Sequence, residues 1–187
     1  VFKGSRGYLP DGETPVESEA ARDLVKKAMA MPEGELLYVV AIGAITNVAS
    51  AILMEPEIVK KICVVWLGGH PLSASTAREF NLPSARVVLD CGVPFTLVPC
   101  MGVASHLLAT VPDMKDAIGG KNALCDALVE LFGEYSSDHF GWAKEIWDVS
   151  TIAYLVNPDW IPTVLEHSPL LTDDCHWAHD ANRHFIR

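Results

Sequence analysis

Along the chain, short continuous apolar runs alternate with stretches whose apolar positions recur every three or four residues. Leu36-Leu37-Tyr38-Val39-Val40-Ala41-Ile42 and Ile62-Cys63-Val64-Val65-Trp66-Leu67 have the look of parallel strands buried on both faces. Pro94-Phe95-Thr96-Leu97-Val98-Pro99 reads as a third strand. Between the first two, residues 45–54 and a segment opened by Pro56 and running to Lys61 read as helices, so the unit is βαβ with a right-handed crossover. Upstream, Val16, Ala20, Leu24, Ala28 and Met31 predict a helix that stops before Pro32. Thr14-Pro15-Val16-Glu17 has the form of its capping box, with proline at the first helical position.

Further helices are predicted through Val87-Val88-Leu89 to Gly92, over Gly102 to Leu108, and over Ala123 to Tyr135, where Leu124, Leu128, Leu131 and Phe132 share a face. A short helix from Asp148 to Val156 ends at Asn157-Pro158. The tail, with Pro162, Pro169, Asp173-Asp174 and four histidines, carries no clear period until His184-Phe185-Ile186-Arg187, which reads as a strand beginning. The expected architecture for residues 1–187 is a single α/β domain: an open, mostly parallel, Rossmann-like sheet flanked by helices.

Composition narrows the function classes. Half the residues are hydrophobic and a fifth charged, ordinary for a globular α/β protein. A formal charge of −10 argues against a nucleic acid polymer as partner. No apolar run approaches the ~20 residues that span a membrane. The five cysteines are odd in number and form no C-x-x-C pair, which predicts free, buried thiols in a reducing, cytoplasmic compartment. A first residue that is not Met and a strand just starting at the end predict an excerpt or a processed chain.

Glu79-Phe80-Asn81 is the first candidate for chemistry. Residues two apart on an extended chain point the same way, so Glu79 and Asn81 can enter one pocket while Phe80 points away. A carboxylate and an amide together suit a ligand with several hydroxyls; the plain alternative is a polar loop with a packed phenylalanine. Asp148 precedes an apolar helical run, which makes it either a helix N-cap or a ligand for a hard cation. Trp147 taken alone reads as core. Gly68-Gly69-His70 lacks the spacing of a phosphate loop, His176 and His179 lack zinc spacing on a clear helix, and Ser105-His106 has no G-x-S-x-G context.

In order along the chain, Val40-Ala41-Ile42-Gly43-Ala44-Ile45-Thr46-Asn47, Glu55-Pro56-Glu57-Ile58, Val64-Val65-Trp66-Leu67-Gly68-Gly69, Glu79-Phe80-Asn81, Gly92-Val93-Pro94 and Trp147-Asp148 ahead of Ala-Tyr-Leu and Asn157-Pro158 form one ordered set. That set resembles the nucleoside hydrolase family of the inosine-uridine-preferring type. The resemblance implies hydrolysis of the N-glycosidic bond of ribonucleosides, a Ca²⁺ cofactor, a role in purine or pyrimidine salvage, and a homodimer or homotetramer. It implies that the Ile42 carbonyl and the Asp148 carboxylate are metal ligands. Glu79 and Asn81 would hold the ribose hydroxyls beside Phe80, Leu67 would be an apolar contact, and Trp147 would stack on a purine base.

The family's Asp-x-Asp-x-x-x-Asp-Asp signature is not among these residues, nor is an Asn before Glu79 or the Asp-Pro-rich segment usual after Asn81. The expectation is therefore the central and C-terminal portion of such an enzyme, with the general base upstream of Val1 and the 187 residues inactive alone. The rival expectations are a ribose- or nucleoside-binding remnant without turnover, and a scaffold that binds no sugar.

Overall fold

In the computed structural model, which describes residues 1–74, 76–77 and 81–187, the apolar runs become a parallel sheet. Strands β1 (Leu37–Ala41), β2 (Ile62–Leu67) and β3 (Phe95–Val98) lie in the order β1-β2-β3. Val39 faces Val64 and Ala41 faces Trp66 across the first pair; Val64 faces Phe95 and Leu67 faces Val98 across the second. Alternation of side chains then splits the apolar residues between two faces. Leu37, Val39, Ala41, Ile62, Val64, Trp66, Phe95 and Leu97 enter the larger core. Helices α1 (Glu19–Met29), α2 (Thr46–Met54) and α3 (Leu82–Asp90) contribute its other side. Val65, Leu67 and Val98 form a smaller core on the opposite face, where α6 (Val149–Val156) packs through Tyr154 and Leu155. Val64, Val65 and Val88 are almost fully buried, and each such side chain contributes about 1.5–3 kcal/mol of hydrophobic stabilisation.

Several expectations are corrected. β1 is not buried on both faces: Tyr38 is 57% exposed, because β1 is the edge of the described sheet. The first helix starts at Glu19, not at Pro15. The Thr14 amide and hydroxyl are taken by the Asp11 carboxylate (2.6 and 3.1 Å), and the Ser18 hydroxyl caps the helix from the Ala21 amide. Pro56–Lys60 is a 3-10 turn rather than an α-helix. Gly102, at φ +74, breaks the predicted 102–108 helix, leaving a 3-10 turn at Ala104–His106 and a short strand β4 (Leu108–Ala109). α4 (Val111–Ile118) was not predicted; Thr110 and Asp113 form its capping box. On α5 (Ala123–Gly133) only part of the expected apolar face is buried: Phe132 packs on Trp142, while Leu124, Leu128 and Leu131 are exposed. Among the described residues no disulfide joins any of the five cysteines, and none of the five is fully buried.

β4 pairs antiparallel with β5 (Lys144–Glu145). The tail folds as two antiparallel pairs, β6 (Glu166–His167) with β9 (Phe185–Ile186) and β7 (Leu170–Leu171) with β8 (Trp177–Ala178). The predicted closing strand is therefore present. Arg187 bonds to both sides of Thr96, its carbonyl accepting from the Leu97 amide (2.7 Å) and its amide donating to the Phe95 carbonyl (2.9 Å), so this residue docks along the outer edge of β3. The tail is tied to α3 by the buried Ser168 hydroxyl, which donates to the Leu89 carbonyl (2.7 Å), and by Arg183, which donates to the same carbonyl (2.8 Å) and pairs with Asp90.

Burial, then the charge of Arg183, hold the His184 imidazole below its ordinary value of 6.5, with Asp90 opposing, and its Nε2 is buried without a hydrogen-bond partner. Such a group favours the fold fully above the ordinary value. That contribution is lost as pH falls through the lower folded value, since the unfolded chain takes up the proton first. Melting temperature is expected to fall between pH 7 and pH 5, and His184→Gln should flatten part of that fall. An equal fall in the variant would show that other groups carry it.

Gly68 is the tightest glycine of the sheet. A Cβ there would lie 2.2 Å from a ring carbon of Trp66, which is 1% exposed and cannot retreat. Gly68→Ala is expected to cost about 1–3 kcal/mol of stability, the scale of core overpacking, read from denaturant melts. An unchanged midpoint would mean that the indole moves freely.

Candidate functional site

In open parallel sheets, ligands bind beyond the carboxyl ends of the strands. At that end of β1 the chain turns through Ile42, Gly43 and Ala44 into α2, and Ile42 is 53% exposed. Its carbonyl accepts none of the backbone hydrogen bonds made by turns and loops among the described residues. The turn is held from the side: the indole N–H of Trp66 donates to the Gly43 carbonyl at 2.8 Å. At the first residue of α2, the Thr46 hydroxyl donates to the Asn81 side-chain carbonyl at 3.3 Å, and both residues are buried. Asn81 stands at the start of α3 without capping it. The next residue of α2, Asn47, accepts from the Ser5 amide (2.8 Å) and the Ser18 hydroxyl (3.0 Å), so the N-terminal loop is fastened to the same helix end.

Glu79 and Phe80 lie outside the described residues, and so does the extended geometry expected for Glu79-Phe80-Asn81. Leu67 and Trp147 are brought together, packing on one small core with Val65, Val98 and Ala104. Leu67 is only 5% exposed. It is a floor for the site more than a surface contact.

Asp148 occupies the N-cap position of α6, but its backbone is helical (φ −64°, ψ −30°) and its side chain caps nothing. The Thr151 hydroxyl bonds to its main-chain carbonyl instead (2.8 Å). The carboxylate is thus exposed and uncommitted to the helix, which removes the expected capping role. α6 packs against both β1 and β2, which carries Asp148 to the face that holds Leu67.

Carbonyl and carboxylate oxygens are the donor type that Ca²⁺ and Mg²⁺ take, so Ile42 and Asp148 fit a hard cation in kind. In number they do not fill a shell of about six to eight oxygens. Among the described residues no three His, Cys, Asp or Glu side chains cluster to hold a metal unaided. Other nucleophile candidates are occupied or muted. The Ser105 hydroxyl accepts from the Gly102 amide at 2.9 Å, and burial pushes the Cys63 and Cys91 thiols up, away from the reactive thiolate. An apolar cavity of about 560 Å³ between the end of β3 and the tail is lined, among the described residues, by none of Ile42, Leu67, Asn81, Trp147 and Asp148.

Periodicity did not single out Trp66 and Thr46 as site residues. Their only signals were an indole one residue before a strand's Leu-Gly-Gly end and a hydroxyl in the uncapped first turn of a helix.

Residues 2–181 match the family described as inosine-uridine preferring nucleoside hydrolase. The chain belongs to that family. It is 30% identical over 144 residues to the probable uridine nucleosidase 2 of Arabidopsis thaliana, covering 73% of this chain and 44% of that protein. It is 28% identical over 166 residues to the inosine-uridine preferring nucleoside hydrolase of Leishmania major, covering 83% and 52%. Among solved structures, the inosine-uridine preferring nucleoside hydrolase of Bacillus anthracis superposes with a TM-score of 0.68 at 17% identity, over 89% of this chain and 58% of that one. An inosine-guanosine nucleoside hydrolase does so at 0.66 and 20% identity, over 84% and 54%. These likenesses establish the nucleoside hydrolase fold. The chain spans about half the length of these relatives (44% and 52%).

Proposed function

We propose that the protein carrying this chain hydrolyses the N-glycosidic bond of ribonucleosides, with uridine and inosine as first substrates. The observation that carries the reading is the family match over residues 2–181. The names of the relatives supply the substrates. Cleaving the C–N bond builds positive charge on the sugar, which carboxylates close to it stabilise. In this reading Asn81, anchored by Thr46, orients the ribose hydroxyls together with Glu79, and Phe80 borders them. Trp147, backed by Leu67, offers a ring face to the base.

The metal proposed is Ca²⁺, held by the Ile42 carbonyl, the Asp148 carboxylate and further oxygens from solvent, substrate and residues beyond these two. When bound it would fix the vicinal hydroxyls and polarise the attacking water. Five cysteines without a disulfide support a reducing, cytoplasmic location, and among the described residues no helix is long and apolar enough to cross a membrane. The exposed ridge of Leu124, Leu128 and Leu131 on α5, at the four-three spacing of a helix–helix seam, supports a homo-oligomer. Nucleoside salvage is the role that such an activity serves.

The test is release of ribose from uridine and inosine by the whole protein, after chelation and after calcium is restored. Release that needs calcium supports the proposal; none with calcium present rejects it. A second reading, nucleoside binding without turnover, draws on the absence of any three clustered acidic, imidazole or thiol groups among the described residues. Binding without ribose release would decide for it.

A further inference from the structure

Among the described residues, little holds the turn that carries the Ile42 carbonyl. Ile45, at the N-cap of α2, has no side-chain cap, and the backbone bonds that begin the helix reach back only to the Ile45 carbonyl. Among the described side chains, the bond recorded to residues 42–44 comes from the neighbouring strand: the Trp66 indole N–H on the Gly43 carbonyl at 2.8 Å.

Two small residues let the ring reach that far. Ala41 faces Trp66 across the β1–β2 pair and leaves space for the ring to lean over β1. Gly68, just past the end of β2, has no Cβ where the ring passes; one would stand 2.2–2.8 Å from three ring carbons. The ring is then closed in, 1% exposed and tilted against Phe95 with centroids 6.2 Å apart. A buried, donor-only indole N–H needs an acceptor, and the Gly43 carbonyl is the acceptor it has.

We propose that Trp66 is a positioning residue of the site. Its indole pins the Ile42–Ala44 turn so that the Ile42 carbonyl faces the mouth of the sheet, and the Ala41 and Gly68 positions are what allow it. The inference rests on the proposed metal site only for its consequence. The tether itself can be tested without any ligand.

Three measurements on the whole protein decide it. In the unaltered protein the Trp66 indole proton is expected to exchange with solvent at least about a hundredfold more slowly than a free indole. In Trp66→Phe, which keeps an aromatic filler and deletes the donor, amide exchange across residues 43–46 is expected to rise about tenfold. Calcium affinity, titrated calorimetrically without nucleoside, should fall about tenfold while the protein still melts cooperatively; one hydrogen bond's worth of order is at stake. A merely structural tryptophan would lower the melting temperature but leave both readouts of the folded variant unchanged, and that result overturns the proposal. Should Trp66→Phe fail to fold, the indole measurement still decides, since rapid exchange of that proton also overturns it. If the unaltered protein binds no calcium, the metal site is wrong, while the exchange data still report on the tether.

Discussion

Asp148→Asn is expected to weaken calcium binding by the whole protein at least about tenfold while moving its melting temperature hardly at all. Both halves follow from the start of α6. A carboxylate at a helix N-cap ordinarily accepts from the amides of the first turn, and losing that bond costs about 1 kcal/mol. Asp148 makes no such bond, its backbone is already helical, and its side chain is exposed, so asparagine takes nothing from the fold. The proposed metal role is different in kind. A formal charge is removed from the coordination shell, where even an outer-sphere change commonly costs ~10–100-fold in affinity. Calorimetric titration beside a melting curve separates the two. A fall of about 1 kcal/mol in stability with unchanged calcium affinity would return Asp148 to the role of a cap.

What was legible in the sequence followed from local physics. Continuous apolar runs bounded by turns located β1, β2 and β3 to within a residue, because a parallel strand has few other ways to satisfy that pattern. The Thr14 capping box failed because a competing local acceptor, Asp11, lay three residues upstream and Ser18 lay nearer the apolar period. α4 was overlooked although Thr110, Pro112 and Asp113 carry its start signal, since its interior mixes charges with few apolar residues. The exposure of β1 was beyond reach, because strand order is not a local property. The candidate site divides in the same way. Ile42, Leu67, Asn81 and Asp148 came from ordered motifs, whereas the lean of the Trp66 ring depends on what faces it across the sheet, Ala41, and on a glycine two residues on.

Residues 1–187 on their own are expected to release no measurable ribose from inosine, adenosine or uridine, with or without added calcium. General-base catalysis needs a group within hydrogen-bond reach of the attacking water, about 3 Å, or one water removed. The aspartate signature that the resemblance links to that base and to two more metal ligands is not among these residues. The described residues nominate one neutral and one anionic oxygen for the metal, Ile42 and Asp148, against a need of roughly six to eight. Each deficit acts on a different term. Missing anionic ligands weaken the metal, so that solvent competes for the substrate hydroxyls; a missing base costs a further ~10²–10⁴-fold in rate. Weak nucleoside binding can survive both, since Asn81 is held by Thr46 and Trp147 is packed against the small core independently of any metal. The assay is a reducing-sugar measurement on the purified 187-residue chain, with equilibrium binding of inosine measured beside it. Calcium-dependent ribose release from that chain would show that a base and a sufficient metal shell already reside within it, Glu79 being the first residue to examine.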